Sequence, residues 1–118
     1  MQGIRKKKAE SLLKREISEI ILRELKDPRV KFVTITGVSL TNDLKAAHVY
    51  VSVMGGEKDK KGSMAGLRSA AGFVRGRIGD NVRLRYNPEI KFEIDDTLET
   101  RDRIEQLFRK IEESRTDE

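Results

Sequence analysis

The sequence predicts a single α+β domain with elements in the order α-β-β-α-(break)-α-β and a helix appended at the C-terminus. Three observations carry this reading. An apolar stripe at helical spacing opens the chain. A strict apolar/polar alternation follows between Ala47 and Val53. A helical pattern from Met64 to Ile78 is interrupted by glycines, before a third strand-like run. At 118 residues the chain is of single-domain length. Such a chain buries roughly two-thirds of its unfolded surface, enough for one modest core.

The elements follow from local patterns. In residues 9–26, Ala9, Leu12, Leu13, Ile17, Ile20, Ile21 and Leu25 recur at i, i+3 and i+4, with Lys14, Arg15, Glu16, Glu19, Arg23 and Glu24 on the other face. Asp27-Pro28 stops this helix, because proline disfavours the α conformation in the residue before it. Phe32 to Leu40 is rich in β-branched residues. Its apolar positions switch parity after Gly37, which predicts a bulge there. Thr41-Asn42-Asp43 is a turn signal, and Ala47, Val49, Val51 and Val53 then alternate with His48, Tyr50 and Ser52. These two strands make an antiparallel hairpin. Residues 55–62 read as a polar loop, with Ser63 as the cap of the next helix. Met64, Leu67, Ala71, Val74 and Ile78 hold helical spacing, but Gly66, Gly72, Gly76 and Gly79 lie among them. Each interior glycine costs a helix about 1 kcal/mol relative to alanine, so a break is expected. Leu84, Tyr86, Ile90, Phe92 and Ile94 predict a third strand, interrupted at Asn87-Pro88. Asp96 or Thr97 then caps a helix bearing Ile104, Leu107, Phe108 and Ile111, ahead of a polar tail. Residues 1–95 therefore read as the body, and residues 96–118 as an appended helix and tail.

Composition narrows the function classes. The chain has no Cys and no Trp, which removes disulfide frameworks, Cys-ligated zinc and cysteine nucleophiles. No apolar run approaches the ~18 residues that span a bilayer, and no secretory h-region follows the basic start, so a cytoplasmic protein without a membrane partner is expected. The net charge of +5 is unevenly distributed. Residues 1–91 hold 20 basic and 10 acidic residues, a net +10, while residues 92–118 hold 5 basic and 10 acidic, a net −5. A cationic body of this kind suits a polyanionic partner.

Catalysis has little to work with. His48 is the single histidine, and its strand parity places it opposite the valine row, without a positioned partner that a general base needs. Asp95-Asp96 precedes a helical run, where carboxylates act as caps rather than as metal ligands. No phosphate loop, no Gly-x-Ser-x-Gly elbow and no metal-ligand spacing is present, so neither an enzyme, a metal nor a cofactor is expected.

The glycine-rich stretch is the chemically informative part. On a helical wheel Leu67, Ala71, Val74 and Ile78 cluster on one side, and Arg68, Gly72, Arg75 and Gly79 fall together beside them. Arg77, Arg83 and Arg85 extend the positive zone. Guanidinium groups without intervening bulk let a phosphate backbone approach closely, and arginine can grip phosphate with two parallel bonds. The run Arg5-Lys6-Lys7-Lys8 adds four cations ahead of the first helix. Phe32, Phe73, Phe92, Phe108 and Tyr86 sit mostly at apolar positions, leaving Tyr50 as the exposed ring. Recognition of a nucleic acid by backbone and shape, rather than by base stacking, is the expectation.

The element order is that of a type II KH-like domain, in which a Gly-x-x-Gly loop ordinarily joins the paired helices. Gly76-Arg77-Ile78-Gly79 has that pattern, but too few residues separate it from the third strand to hold another helix. A break at Ala70-Ala71-Gly72 divides the stretch into two short helices instead. With that division the sequence resembles the bacterial ribosome-binding factor A family along nearly its whole length. The matching pieces are Asp27-Pro28-Arg29, Val33-Thr34-Ile35-Thr36-Gly37-Val38, Asn42-Asp43-Leu44-x-x-Ala47-x-Val49-Tyr50-Val51, Ala70-Ala71-Gly72-Phe73-Val74-Arg75 and Arg83-Leu84-Arg85-x-x-Pro88-Glu89-Ile90-x-Phe92-x-x-Asp95.

The resemblance implies a non-catalytic assembly factor. It would bind the free small (30S) ribosomal subunit through 16S rRNA, assist late rRNA processing including the 5′ end, support growth in the cold, and be released with the help of a GTPase. A monomer is expected. It assigns the helix kink to Ala70 and Gly72, and RNA contact to Arg75, Arg83 and Arg85. Arg5, Lys6, Lys7, Lys8, Arg68 and Arg77 are candidate RNA-binding residues on charge alone. Two alternatives remain open at the level of sequence: a KH-type module for another structured RNA, and a protein–protein adaptor.

Overall fold

The computed structural model describes residues 2–84, 86–97, 102, 105–107 and 109–113. The order is α1 (Gln2–Arg23), β1 (Val33–Leu40), β2 (Ala46–Val53), α2 (Glu57–Ser69), α3 (Ala71–Asn81) and β3 (Glu89–Ile94). The described residues between 102 and 113 are helical, in keeping with the appended helix. The three strands form one sheet in the order β1-β2-β3. β1 and β2 are antiparallel and β2 and β3 parallel. A parallel neighbour needs a crossover, and α2 and α3 supply it.

Alternation in β2 fixes which face is covered. Ala47, Val49, Val51 and Val53 are buried, as are Ile35, Leu40, Ile90 and Phe92 on the flanking strands. Against this face pack Leu13, Ile17 and Ile20 of α1, Met64 and Leu67 of α2, and Val74 and Ile78 of α3. His48, Tyr50 and Ser52 lie on the other face, beside Lys91 and Glu93. There Thr36 donates its hydroxyl hydrogen to Asp95 at 2.6 Å, across the central strand. The predicted bulge is present: the β1–β2 register shifts between Ile35 and Gly37.

Several boundaries differ from the sequence reading. α1 starts at Gln2 rather than at residue 9, because the helix runs on through the four adjacent cations. α2 starts at Glu57, with Gly56 at the N-cap and Asp59 accepting from the Gly56 N–H. Ser63 is therefore not a cap. It is buried in mid-helix, and its hydroxyl donates to the Arg29 carbonyl at 3.0 Å, tying α2 to the turn after α1. β3 is shorter than predicted: Leu84 and Tyr86 precede it, since Asn87-Pro88 breaks the extended run.

Gly66 explains how closely that turn approaches. A Cβ there would lie 2.8 Å from Val30 Cγ2 and 3.0 Å from Asp27 Oδ2. Only a residue without a side chain fits. Asp27 is held in place by Arg29, whose Nη2 donates to Oδ2 at 2.8 Å and whose backbone N–H donates to Oδ1 at 2.9 Å. The guanidinium and then the amide hydrogen bond lower the Asp27 carboxyl below its ordinary range.

Candidate nucleic-acid interface

The glycine-rich stretch divides at Ala70. With φ −88° and ψ −3° this residue ends α2 and begins α3, its N–H donating back to α2 carbonyls and its carbonyl accepting from Val74. Leu67, Val74 and Ile78 still reach the core on both sides of the break. Gly72 and Gly76 are exposed on α3, and a Cβ at either would meet nothing within 4 Å. Nothing in the packing of the described residues requires them to be glycine. They leave a smooth strip of backbone between Arg68 and Arg75, both exposed.

The arginines of this region have different surroundings. Arg75 donates through Nε and Nη2 to the Asn87 carbonyl at 3.3 and 3.0 Å, and the Asn87 amide donates back to the Arg75 carbonyl at 3.2 Å. This reciprocal pair pins α3 to the segment leading into β3. Gly79 permits it, since a Cβ there would come within 2.8 Å of Asn87 Nδ2. Arg77 turns the other way. Its Nη2 is 2.8 Å from Glu24 Oε1, just beyond the end of α1, and its Nη1 is 3.8 Å from Asp80. Its Nε is buried without a partner among the described residues. Arg77 thus joins α3 to α1, and its charge is answered locally. Arg83 is exposed just beyond α3. Arg85 lies outside the described residues.

Arg5, Lys6, Lys7 and Lys8 occupy the first turns of α1. A helix rises ~1.5 Å per residue, so this cluster is roughly 25 Å from the Glu24–Arg77 contact. The structure therefore does not gather all the predicted cations at one point. Lys6 Nζ lies 3.4 Å from Asn42 Oδ1, near the β1–β2 turn. Lys7, Lys8 and Arg15 line a shallow depression with Ser11 and Leu12. Cations in the first two turns oppose the helix dipole, and their positive field adds to that of the N-terminal N–H groups, so this end of α1 attracts anions.

Three features escape the sequence reading. Arg68 shares a groove with Glu57, Lys60, Lys61, Met64, Ala65, Ile94 and Asp96. Lys61, Met64, Ala65 and Arg68 follow helical spacing, a signal hidden when residues 55–62 are read as loop. Aromatic exposure also differs. Phe32, Phe73 and Tyr86 are exposed, whereas Tyr50 is half-buried on the sheet. Ring stacking is therefore available to a ligand at the α3 surface through Phe73. His48 is not alone: its Nδ1 is 2.8 Å from Glu93 Oε2 on the open sheet face. Among the described residues no group of three His, Cys, Asp or Glu could hold a metal, and no helix is long and apolar enough to cross a membrane.

A three-stranded sheet with α-β-β-α-α-β order, and a backbone break where a loop would join the paired helices, defines a KH-like α+β protein. The chain belongs to the ribosome-binding factor A family, whose model matches residues 5–108. It is 49% identical to a ribosome-binding factor A from Halothermothrix orenii over 113 residues, covering 96% of this chain and 93% of that one. Among solved structures it resembles the solution structure of a Thermotoga maritima protein described as a putative ribosome binding factor A. The TM-score is 0.69 at 38% identity, covering 80% of this chain and 91% of the other. It also resembles a Thermus thermophilus ribosome binding factor A homology model fitted into a cryo-electron microscopy map of its complex with the 30S subunit. That TM-score is 0.60 at 30% identity, with coverage of 71% and 88%.

Proposed function

We propose that this chain is a non-catalytic assembly factor that binds the free small ribosomal subunit through 16S rRNA. The observation that carries the reading is family membership over residues 5–108, together with the Thermus relative's place in a 30S complex. The charge distribution supports it, since residues 1–91 carry a net +10. Exposed Arg68 and Arg83, the smooth Gly72–Gly76 strip and the cationic start of α1 offer phosphate contacts at separated points. Binding stabilises one rRNA conformation, a population shift in which no bond is made or broken. The rRNA-binding body is residues 1–95. Assistance to late 16S rRNA processing, support of growth in the cold, action as a monomer in the cytoplasm and release by a GTPase complete the reading.

Gradient sedimentation with purified ribosomal particles tests it. The chain is expected to travel with small subunits and to leave them as salt rises, because each phosphate contact releases counterions. Travel with neither subunits nor their rRNA precursor, or binding insensitive to salt, would refute the proposal.

A further inference from the structure

A second surface lies away from the cationic strip. β1 is an edge strand. Phe32 accepts from the Met54 N–H, so by the alternation of an antiparallel ladder the backbone groups of Val33 and Ile35 point away from β2. At the far end of the strand the Glu10 carboxylate accepts the Leu40 N–H at 2.8 Å and closes the edge. The Val33–Ile35 end has no such cover among the described residues. Beside it runs a groove of about 390 Å³, walled by Ser18, Ile21 and Leu22 of α1, by Leu25 just beyond that helix, and by Val30 and Phe32–Ile35. Its lining contains no charged side chain.

The two most exposed large apolar residues of the described chain stand at this groove: Leu22 at 82% and Phe32 at 74%. Phe32 also has φ +52°, a left-handed conformation that a bulky residue adopts at a cost. Glycine would occupy that position without strain, and a polar residue would suit its exposure. An uncovered strand edge with an apolar groove beside it can take up an extended peptide as a further strand.

We propose that the groove between α1 and β1 binds an extended apolar segment of a protein partner, with acidic residues flanking its apolar core, by strand addition at Val33–Ile35. Charge selects this occupant. Exposed Lys26 and Lys31 adjoin the groove residues Leu25 and Phe32 in sequence, and Arg23 offsets Glu19 one turn away on α1. A second copy would bring the same cations to the seam. A nucleic acid would find no cation in the lining.

The test uses the full chain, labelled with ¹⁵N, and a synthetic peptide of sequence Glu-Val-Thr-Ile-Thr-Val-Glu. The peptide is expected to shift the amides of Leu22 and Phe32–Ile35 and to slow hydrogen exchange at Val33 and Ile35. Replacing its glutamates by lysine should weaken binding about tenfold, as should Phe32→Gly, while that variant melts no lower than the parent. Leu22→Ser gives an independent loss of binding at an exposed position. The proposal is overturned by equal binding of the lysine-flanked peptide, or by shifts confined to other surfaces. It is equally overturned if an oligouridylate shifts the same amides, or if sedimentation equilibrium shows a dimer that Leu22→Ser abolishes.

Discussion

Two glycines in neighbouring helices are expected to respond to alanine with opposite signs. Gly76 sits inside α3 with open space around it, so Gly76→Ala gains helix propensity without a clash. The gain is about 0.5–1 kcal/mol. Gly66 sits inside α2 against Val30 and Asp27, and the same propensity gain is opposed by contacts at 2.8 and 3.0 Å. Neither neighbour can yield easily. Val30 packs against the core, and the Asp27 carboxylate is fixed by Arg29. Forcing a methyl into such a site costs about 1–3 kcal/mol, which leaves a net loss of about 1–2 kcal/mol. For a chain of 118 residues each kcal/mol shifts the melting temperature by roughly 4 °C. Thermal melts followed by circular dichroism should then place Gly66→Ala roughly 4–8 °C below the parent and Gly76→Ala roughly 2–4 °C above it. A Gly66→Ala variant as stable as the parent would refute the close-approach reasoning. A destabilised Gly76→Ala would refute the inference that this glycine is not held by packing.

Two further predictions concern the turn after α1. Ser63→Ala leaves the Arg29 carbonyl without its buried donor and should lower unfolding free energy by about 1 kcal/mol in urea titration. The Asp27 carboxyl is lowered in the folded state, so its contribution is complete above pH ~4 and is lost as pH falls through the folded value; Asp27→Asn should flatten the acid limb of a stability-against-pH curve.

The order of elements was legible because each is written in local periodicity. β2 alternates without exception, and the crowding of glycines foretold a break that α2 and α3 place at Ala70. The misplacements arise where local signals compete with tertiary ones. Gly55-Gly56 and the charges after them read as loop, yet Asp59 and the Gly56 N–H begin a helix there. Ser63 has the chemistry of a cap, but its use depends on the Arg29 carbonyl, which is distant in sequence. The same reason separates Arg77 from its neighbours. Closeness in sequence, not wheel position, set it with the other arginines, and only folding brought Glu24 to it. Phe32 shows the limit of residue type: an aromatic predicts apolar surroundings, yet the backbone turns it outward at φ +52°.

The central claim is that exposed guanidinium groups on either side of the α2–α3 break hold the small subunit. Arg68 and Arg83 are exposed, and neither is held by the contacts that pin Arg75 and Arg77. Co-sedimentation of Arg68→Glu/Arg83→Glu with purified small subunits at moderate salt tests this most directly. The double variant should keep the parent's melting temperature and stay at the top of the gradient, since losing and reversing two phosphate contacts costs on the order of a hundredfold in affinity. Undiminished travel of the folded double variant with the subunit would contradict the claim.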